Sequence, residues 1–306
     1  MTTKTKGLIC AIVGTTFWGM SGCAAQFLFS RQPVEPGWLV GVRLLISGVL
    51  LLGWSAITTP KQVMTVWHHK RDGLLLIAFA LFGMVPSQFS YFMAVKYGNA
   101  PTATILQFLG PLFIIIYLAI ANWQLPRRID AISMIIALFG TYLLVTKGQF
   151  TSLQLAPPAI FWGVMAGVGQ ALYTLIPIRL LKTFDAKIVT GWAMLIGSVA
   201  FLPHLVTTPL PKLPVIGWAG VFFVATVGTM FAYLLYLQSL KYLKPSTTGM
   251  LSSFEPFTAT VLSVVLLHTA FGLPEALGGV MILATAFLQA LAVNGLPIWL
   301  KRSAKS

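Results

Sequence analysis

Long apolar runs separated by short, proline-rich segments follow one another along the whole chain. A segment that crosses a bilayer as a helix needs about 20 apolar residues, because lipid offers the backbone no hydrogen-bond partners. The runs at 112–121 and 261–267 are continuous and lack the alternation of membrane-barrel strands. The pattern therefore predicts ten transmembrane helices, near 7–29, 36–57, 73–95, 101–121, 129–146, 157–179, 186–207, 215–240, 246–267 and 274–296.

The first apolar run follows basic residues, as the core of a signal peptide does. It continues from Gly7 to Phe29, which is longer than the roughly 7–15 residues of a secretory signal. We therefore expect this run to remain in the mature protein as its first transmembrane helix.

The composition leaves too little charge for a soluble domain. Of 306 residues, 57% are hydrophobic and 8% are charged, whereas soluble domains carry about 25% charged residues. The net charge of +14 would suggest a nucleic-acid partner in a soluble protein. The basic residues are scattered between apolar segments, so we expect no such partner. Cys10 and Cys23 lack the spacing of a disulfide framework or a metal site, and we expect both to be packing residues.

The distribution of Lys and Arg predicts the orientation, because short cytoplasmic loops retain positive charge. With a cytoplasmic N-terminus, most basic residues fall on the cytoplasmic side. The opposite loops then hold only Arg31, Lys96, Lys147 and Lys212. Both termini of a multi-pass plasma-membrane protein are expected to be cytoplasmic.

An internal repeat appears when the chain is shifted against itself by 145 residues. The shift places Tyr91 on Tyr236, Lys96-Tyr97 on Lys241-Tyr242, and Pro111 on Pro256. The chain then divides into repeats at 1–150 and 151–306 with five spans each. Because five is odd, the second copy must enter the membrane from the opposite side. Inverted repeats of this kind are typical of secondary transporters, with the substrate site between the halves near the midplane.

These features resemble the drug/metabolite transporter superfamily, specifically its EamA-type ten-helix members. The motifs are Phe17-Trp18-Gly19, Arg43, Tyr91 through Tyr97 leading to Gly110-Pro111, and Tyr236 through Tyr242 leading to Glu255-Pro256. Many members carry an acid before the fifth helix of each repeat, whereas this chain has Trp123-Gln124 and His268-Thr269 there. The resemblance implies a central cavity formed by spans 1–4 and 6–9, peripheral spans 5 and 10, and small metabolites such as amino acids as substrates, often exported.

Two ionisable residues lie well inside predicted spans, where a charge costs at least about 2.5–3.5 kcal/mol. Glu255 is a candidate for proton coupling or for binding a substrate ammonium group, and the alternative is a structural carboxylate. Arg43 could hold a substrate carboxylate or neutralise Glu255, and the alternative is a side chain that reaches the outer interface.

A polar and aromatic lining is predicted around these charges. Gln88 and Tyr91 are three residues apart on one helical face, and so are their counterparts Tyr233 and Tyr236. For each such residue the alternative is an interhelical hydrogen bond. The full set of candidate cavity residues is Trp18, Arg43, Gln88, Tyr91, Gln107, Gln170, Tyr173, Trp192, Tyr233, Tyr236, Ser252 and Glu255.

The pattern favours a secondary transporter of a small-molecule substrate in the lipid bilayer, with protons as a candidate coupling ion. The alternatives are a passive channel and an intramembrane enzyme acting on a lipid or lipid-linked substrate, which would need a cluster of acids, His or a nucleophile at one depth. The sequence contains no nucleotide-binding Gly-x-x-x-x-Gly-Lys-Ser/Thr loop. We expect no enzyme activity, no cofactor and no metal.

Overall fold

The computed structural model describes residues 3–121, 123, 128–149, 154–239, 242–243, 251–252 and 254–293. In these ranges the regular structure is helical and no strand occurs. The α-helices of the first half are α1 (Thr3–Arg31), α2 (Pro36–Thr58), α3 (Pro60–Val63), α4 (Lys70–Ala78), α5 (Val85–Tyr97), α6 (Ala100–Gln107), α7 (Gly110–Ala121) and α8 (Arg128–Thr146). Those of the second half are α9 (Pro157–Leu175), α10 (Ile178–Thr183), α11 (Ala186–Val199), α12 (Leu202–Thr207), α13 (Val215–Ala225), α14 (Ala232–Ser239), α15 (Phe254–Leu267) and α16 (Leu273–Val293).

The predicted spans coincide with apolar helices. Five of these helices are long and apolar enough to cross a membrane: Thr5–Arg31, Pro36–Thr58, Lys70–Tyr97, Pro157–Thr183 and Val215–Tyr236. The other five predicted spans coincide with shorter apolar helices, at Ala100–Ile114, Ala131–Leu144, Ala186–Val199, Phe254–Leu267 and Leu273–Thr285. Residues 240, 246–250, 253 and 294–296 of the predicted spans lie outside the described residues. A multi-pass membrane protein is therefore clear, while the count of ten spans stays a prediction.

Three spans predicted as single helices are broken. The span predicted at 101–121 divides just before Pro111, and the one at 157–179 divides at Pro177. Proline cannot donate the backbone hydrogen bond that would continue the helix, which explains a break at both positions. The span predicted at 186–207 divides between Val199 and Leu202, where Pro203 follows in the first turn of α12. The segment between the second and third predicted spans contains α3 and a 3₁₀ turn at Thr65–Trp67.

Two spans contain a wide, π-helical turn that the sequence reasoning did not predict. These six-residue segments are Phe79–Met84, between α4 and α5, and Thr226–Phe231, between α13 and α14. A π turn disturbs the regular pattern of backbone hydrogen bonds in a helix. Beside the second π turn, side-chain hydroxyl groups donate hydrogen bonds to backbone carbonyls. Ser47 of α2 donates to the carbonyl of Ala225 at 2.7 Å. Both segments occupy corresponding parts of the two sequence repeats, and π turns are frequent at functional sites.

A second local feature recurs at the repeat offset. Trp123 and His268 are 145 residues apart, and both have left-handed backbone, with φ of 51° and 53°. Left-handed backbone is uncommon for residues other than glycine. Its recurrence at equivalent positions indicates that the chain turns in the same way after the fourth and ninth predicted spans.

The buried apolar residues form a large main cluster and a smaller second one. The main cluster draws on α1, α2 and the helices packed around them. The second cluster includes Leu106 with Leu144 of α8 and Ile282 of α16. The pair α8 and α16 meets at glycines: a Cβ added at Gly140 would lie 2.8 Å from the carbonyl oxygen of Gly278. Small residues of this kind let membrane helices approach closely. The two helices lie outside the main cluster, as the family resemblance implied for spans 5 and 10.

Among the residues that the structure describes, three ion pairs join the ends of helices. Lys96 contacts Glu35 at 3.1 Å, Arg179 contacts Asp72 at 3.4 Å, and Lys147 contacts Glu275 at 3.4 Å. The predicted topology places both members of each pair on the same side of the membrane, so these contacts agree with it. Which side is cytoplasmic stays a prediction. Several basic residues on which that prediction rests, among them Lys241 and Lys244, lie outside the described residues.

Candidate functional site

A chain of buried polar side chains connects α2, α5 and α14. The Nη2 atom of Arg43 on α2 donates to Oε1 of Gln88 on α5. Nε2 of Gln88 donates onward to the hydroxyl of Tyr233 on α14 at 2.7 Å. All three residues are buried, and the Arg43 guanidinium lies 4.5 Å from the centre of the Phe92 ring. Such an arrangement holds a charge deep between helices, with a hydrogen bond and a cation–π contact offsetting its burial.

The hydrogen bond between Gln88 and Tyr233 joins equivalent positions of the two sequence repeats. The two residues are 145 apart, the same offset that superposes the repeats. The polar chain therefore joins residues of the first part of the sequence, Arg43 and Gln88, to Tyr233 in the second.

Aromatic side chains line the same region. The Trp18 ring centre lies 5.0 Å from that of Tyr233 and 4.9 Å from that of Tyr236. Tyr173 packs against Tyr233 with ring centres 6.0 Å apart, and Phe79 of the first π turn lies 5.3 Å from Tyr173. Trp18, Tyr173 and Tyr236 are only partly buried. Their exposed faces can pack against an apolar or a cationic group.

Two charges of opposite sign face this region without forming an ion pair. Glu255 stands in the first turn of α15, next to α1, where a Cβ added at Gly19 would lie 2.5 Å from its backbone carbonyl oxygen. Among the described residues, its carboxylate oxygens make no salt bridge within 4.0 Å. Within the described part of the chain, Arg43 Nε and the Tyr91 hydroxyl are buried and have no hydrogen-bond partner. A buried polar group without a partner costs about 1–3 kcal/mol. Both atoms are screened from solvent, so a ligand could reach them only after the surrounding helices move apart.

Of the remaining predicted cavity residues, one contacts this region and the others make their contacts elsewhere. Nε2 of Gln107 lies 3.5 Å from Oε1 of Gln170, so these two amides face each other. Ser252 hydrogen-bonds Tyr236 and extends the aromatic region toward α15. Trp192 lies apart from this group. Its indole nitrogen donates to the backbone carbonyl of Val63 at 2.8 Å, and its ring packs on Trp67 at 5.3 Å.

The structure also assigns a role to Gln26, which the sequence reasoning passed over. Its Oε1 accepts from the backbone nitrogen of Ala100 at 2.8 Å and from the Ser263 hydroxyl at 3.2 Å. Its Nε2 donates to the Thr269 hydroxyl at 2.7 Å. One amide thus ties α1 to the start of α6 and to the end of α15. The available signal was the amide itself, which stands alone inside an apolar span.

A buried polar and aromatic site between two related halves of an apolar, multi-pass helical protein is the arrangement of a membrane transport protein. The chain belongs to the EamA-like transporter family, whose model matches residues 5–146 and again residues 157–291. The resemblance to the drug/metabolite transporter superfamily drawn from the sequence is thereby confirmed. Membership implies a small-molecule substrate.

Known relatives agree with this assignment along nearly the whole chain. The chain is 31% identical over 293 residues to an uncharacterized inner membrane transporter, YicL, of Salmonella typhimurium, covering 94% of this chain and 95% of that protein. It is 26% identical over 286 residues to the uncharacterized transporter YxxF of Bacillus subtilis, covering 92% and 88%. A solved crystal structure with 17% identity matches with a TM-score of 0.63, covering 95% of this chain and 96% of that one, and shows the same fold.

Proposed function

We propose that this protein is a secondary active transporter that exports amino acids or related compounds across the plasma membrane by alternating access. In this proposal ten transmembrane helices form two inverted repeats, at 1–150 and 151–306, around a central cavity. Both termini face the cytoplasm. The name of the Salmonella relative, an inner membrane transporter, supports the location.

The hydrogen bond between Gln88 and Tyr233 carries the proposal of an inverted repeat. It joins equivalent positions at the offset of 145, and the left-handed residues Trp123 and His268 recur at the same offset. Two copies that meet at equivalent residues favour a two-fold relation between them. In secondary transporters such halves exchange conformations, which opens a central site to one side and then to the other.

The charges support a zwitterionic substrate. Arg43 presents a buried guanidinium whose Nε has no partner, and guanidinium groups bind carboxylates through paired hydrogen bonds. The carboxylate of Glu255 is suited to a substrate ammonium group. Trp18 and Tyr236 offer aromatic faces for the substrate's side chain. An α-amino acid carries a carboxylate, an ammonium group and a side chain on a single carbon atom.

Glu255 is also the residue on which proton coupling would depend. It is the ionisable acid in this site, and it has no salt bridge among the described residues. If the carboxylate binds a proton and the substrate alternately, inward proton flow drives substrate out. No ATP-binding loop occurs in the sequence, so an ion or substrate gradient must supply the energy.

Counterflow in proteoliposomes tests this function. Vesicles loaded with one unlabelled amino acid at a time should accumulate the same labelled amino acid when the protein is present. Accumulation above equilibrium identifies a carrier, because a channel cannot concentrate solute by exchange. Conductance without counterflow would contradict the proposal in favour of a channel. Chemical conversion of an added lipid, without solute movement, would favour an enzyme.

A further inference from the structure

A groove of about 630 Å³ lies at one end of the molecule, where α4 passes the break between α9 and α10. Three cations line it: Arg71, Arg179 and Lys182. The rest of its wall is apolar and includes Leu74, Leu175 and Ile178. The groove is separate from the site around Arg43, and no step of the proposed transport uses it.

The cations differ in how their charge is compensated. Arg179 contacts Asp72 at 3.4 Å, which neutralises one of the three. Arg71 and Lys182 are exposed and form no salt bridge within the described part of the chain. The groove therefore carries a net positive charge and suits an anion.

The apolar wall indicates what the rest of the ligand is like. Leu74 is 67% exposed and Ile178 is 46% exposed, on helices that run on into the membrane. Trp67, which precedes α4, is 37% exposed, as expected of an aromatic residue at the level of the lipid headgroups. A ligand here meets cations at its head and exposed hydrocarbon along its length.

The other repeat shows that the fold does not require these charges. At the offset of 145, Arg71 corresponds to Ile216, Arg179 to Val34 and Lys182 to Gly37. One cation, Arg31, stands there instead, at the counterpart of Ile176. The same helical unit thus folds without the three cations, so they serve something particular to this end of the molecule.

We infer that this groove binds an anionic phospholipid, with its phosphate between Arg71 and Lys182 and an acyl chain along Leu74 and Ile178. Basic pockets between helices at the cytoplasmic surface are known to hold anionic headgroups, and the predicted topology places this groove on that side. Positive charge in this region also acts as a topology signal. A topology signal needs only the charge, whereas a lipid site also needs the concave apolar wall on which these cations converge.

Native mass spectrometry of the full-length protein, titrated with phosphatidylglycerol or phosphatidylcholine, tests the inference. The wild-type protein should bind phosphatidylglycerol saturably and in preference to phosphatidylcholine. In the double variant Arg71→Gln/Lys182→Gln, the affinity should fall about thirtyfold, since each Lys or Arg near the surface contributes a factor of about five. Arg179 is left in place because it pairs with the buried Asp72.

Two control variants separate the groove from the general charge. Lys61→Gln/Lys187→Gln removes two cations on the same predicted side but outside the groove and should bind like the wild type. Arg71→Lys/Lys182→Arg keeps both charges and should also retain the lipid, which shows that substitutions here are tolerated. An equal loss in the Lys61/Lys187 variant would overturn the inference. Displacement of the lipid by millimolar inorganic phosphate would overturn it too, in favour of a soluble-anion site, as would a wild-type protein without lipid preference.

Discussion

Arg43 is a buried charge whose side chain is held in place by its neighbours. Its guanidinium donates to Gln88 and lies over the Phe92 ring, so its position is fixed before any substrate arrives. Lysine would keep the charge but lose the planar fork that can bind Gln88 and a carboxylate together. The residue should therefore matter for its shape as well as for its charge.

We expect Arg43→Lys to weaken substrate binding by roughly tenfold to a hundredfold, because a hydrogen bond to a charged group contributes about 1.5–3 kcal/mol. The measurement is the KM for counterflow in proteoliposomes. Arg31→Lys, at an exposed helix end, is the matched control and should leave the KM unchanged. A normal KM in Arg43→Lys would rule out a role for the guanidinium in binding.

Glu255→Gln tests proton coupling at the same scale. The amide keeps the size of the carboxylate but cannot bind and release a proton, so a pH gradient should no longer drive substrate movement. If Glu255 serves coupling alone, exchange without a gradient should persist. The measurement compares flux driven by a pH jump with counterflow in the same vesicles. This comparison separates proton coupling from substrate exchange. Glu35→Gln removes an exposed acid paired with Lys96 and should leave both unchanged. An undiminished pH response in Glu255→Gln would show that protons do not act through this residue.

Sequence reasoning at the residue scale found the members of the site better than their partners. Gln88, Tyr233 and Tyr236 were singled out because polar residues repeated on one face of apolar helices, and the structure brings them together. The contact of Gln88 with Tyr233 could not be predicted, since it depends on how two distant helices cross. Trp192 was selected on type alone, and its indole binds the carbonyl of Val63 instead.

At the scale of elements, two glycines control the packing of α8 on α16. A side chain at Gly140 would meet the backbone of Gly278, and overpacking of this kind typically costs about 1–3 kcal/mol. We expect Gly140→Leu to lower the thermal stability of the purified protein, measured by the temperature at which its monodisperse peak is lost. Gly53→Leu is the control, because a Cβ there meets nothing within 4 Å. Equal stability of the two variants would contradict this packing.

The left-handed turn at His268 provides a second prediction for an element. A β-branched residue is strained at a φ of 53°, so His268→Val should destabilise the protein by about 1–2 kcal/mol, whereas His268→Gly should be neutral or stabilising. His69→Val is the control, since His69 is exposed and has extended backbone that valine readily adopts. The measurement is the thermal stability of the three variants. If valine lowers the stability at neither position, the left-handed turn at His268 is contradicted.

The helices themselves could be predicted closely from the sequence, whereas their irregularities could not. Continuous apolar runs define where a span lies, and Pro111 and Pro177 mark two of the breaks. The π turns at Phe79–Met84 and Thr226–Phe231 have no comparable signature. The second one lies beside a tertiary contact, that of Ser47 with the carbonyl of Ala225, which no local pattern encodes.

At the scale of the whole molecule, the two halves should be inserted in opposite directions. Lys96 and Lys241 are equivalent in sequence, so an inverted repeat places them on opposite sides of the membrane. Single cysteines at the two positions, in a Cys10→Ser/Cys23→Ser background, should react with an impermeant maleimide from opposite sides of intact cells. Background protein without added cysteines is the control. Labelling of both positions from the same side would refute the inverted arrangement, although Lys241 itself lies outside the described residues.

The hydrogen bond between Gln88 and Tyr233 has a mechanical consequence. When two halves related by a two-fold axis exchange conformations, atoms on that axis hardly move. If the two halves exchange conformations as proposed, this bond should stay intact through the transport cycle, while contacts farther from the axis break and re-form. A cross-link between the halves close to the axis would therefore leave the conformational change possible, whereas a cross-link far from the axis would block it.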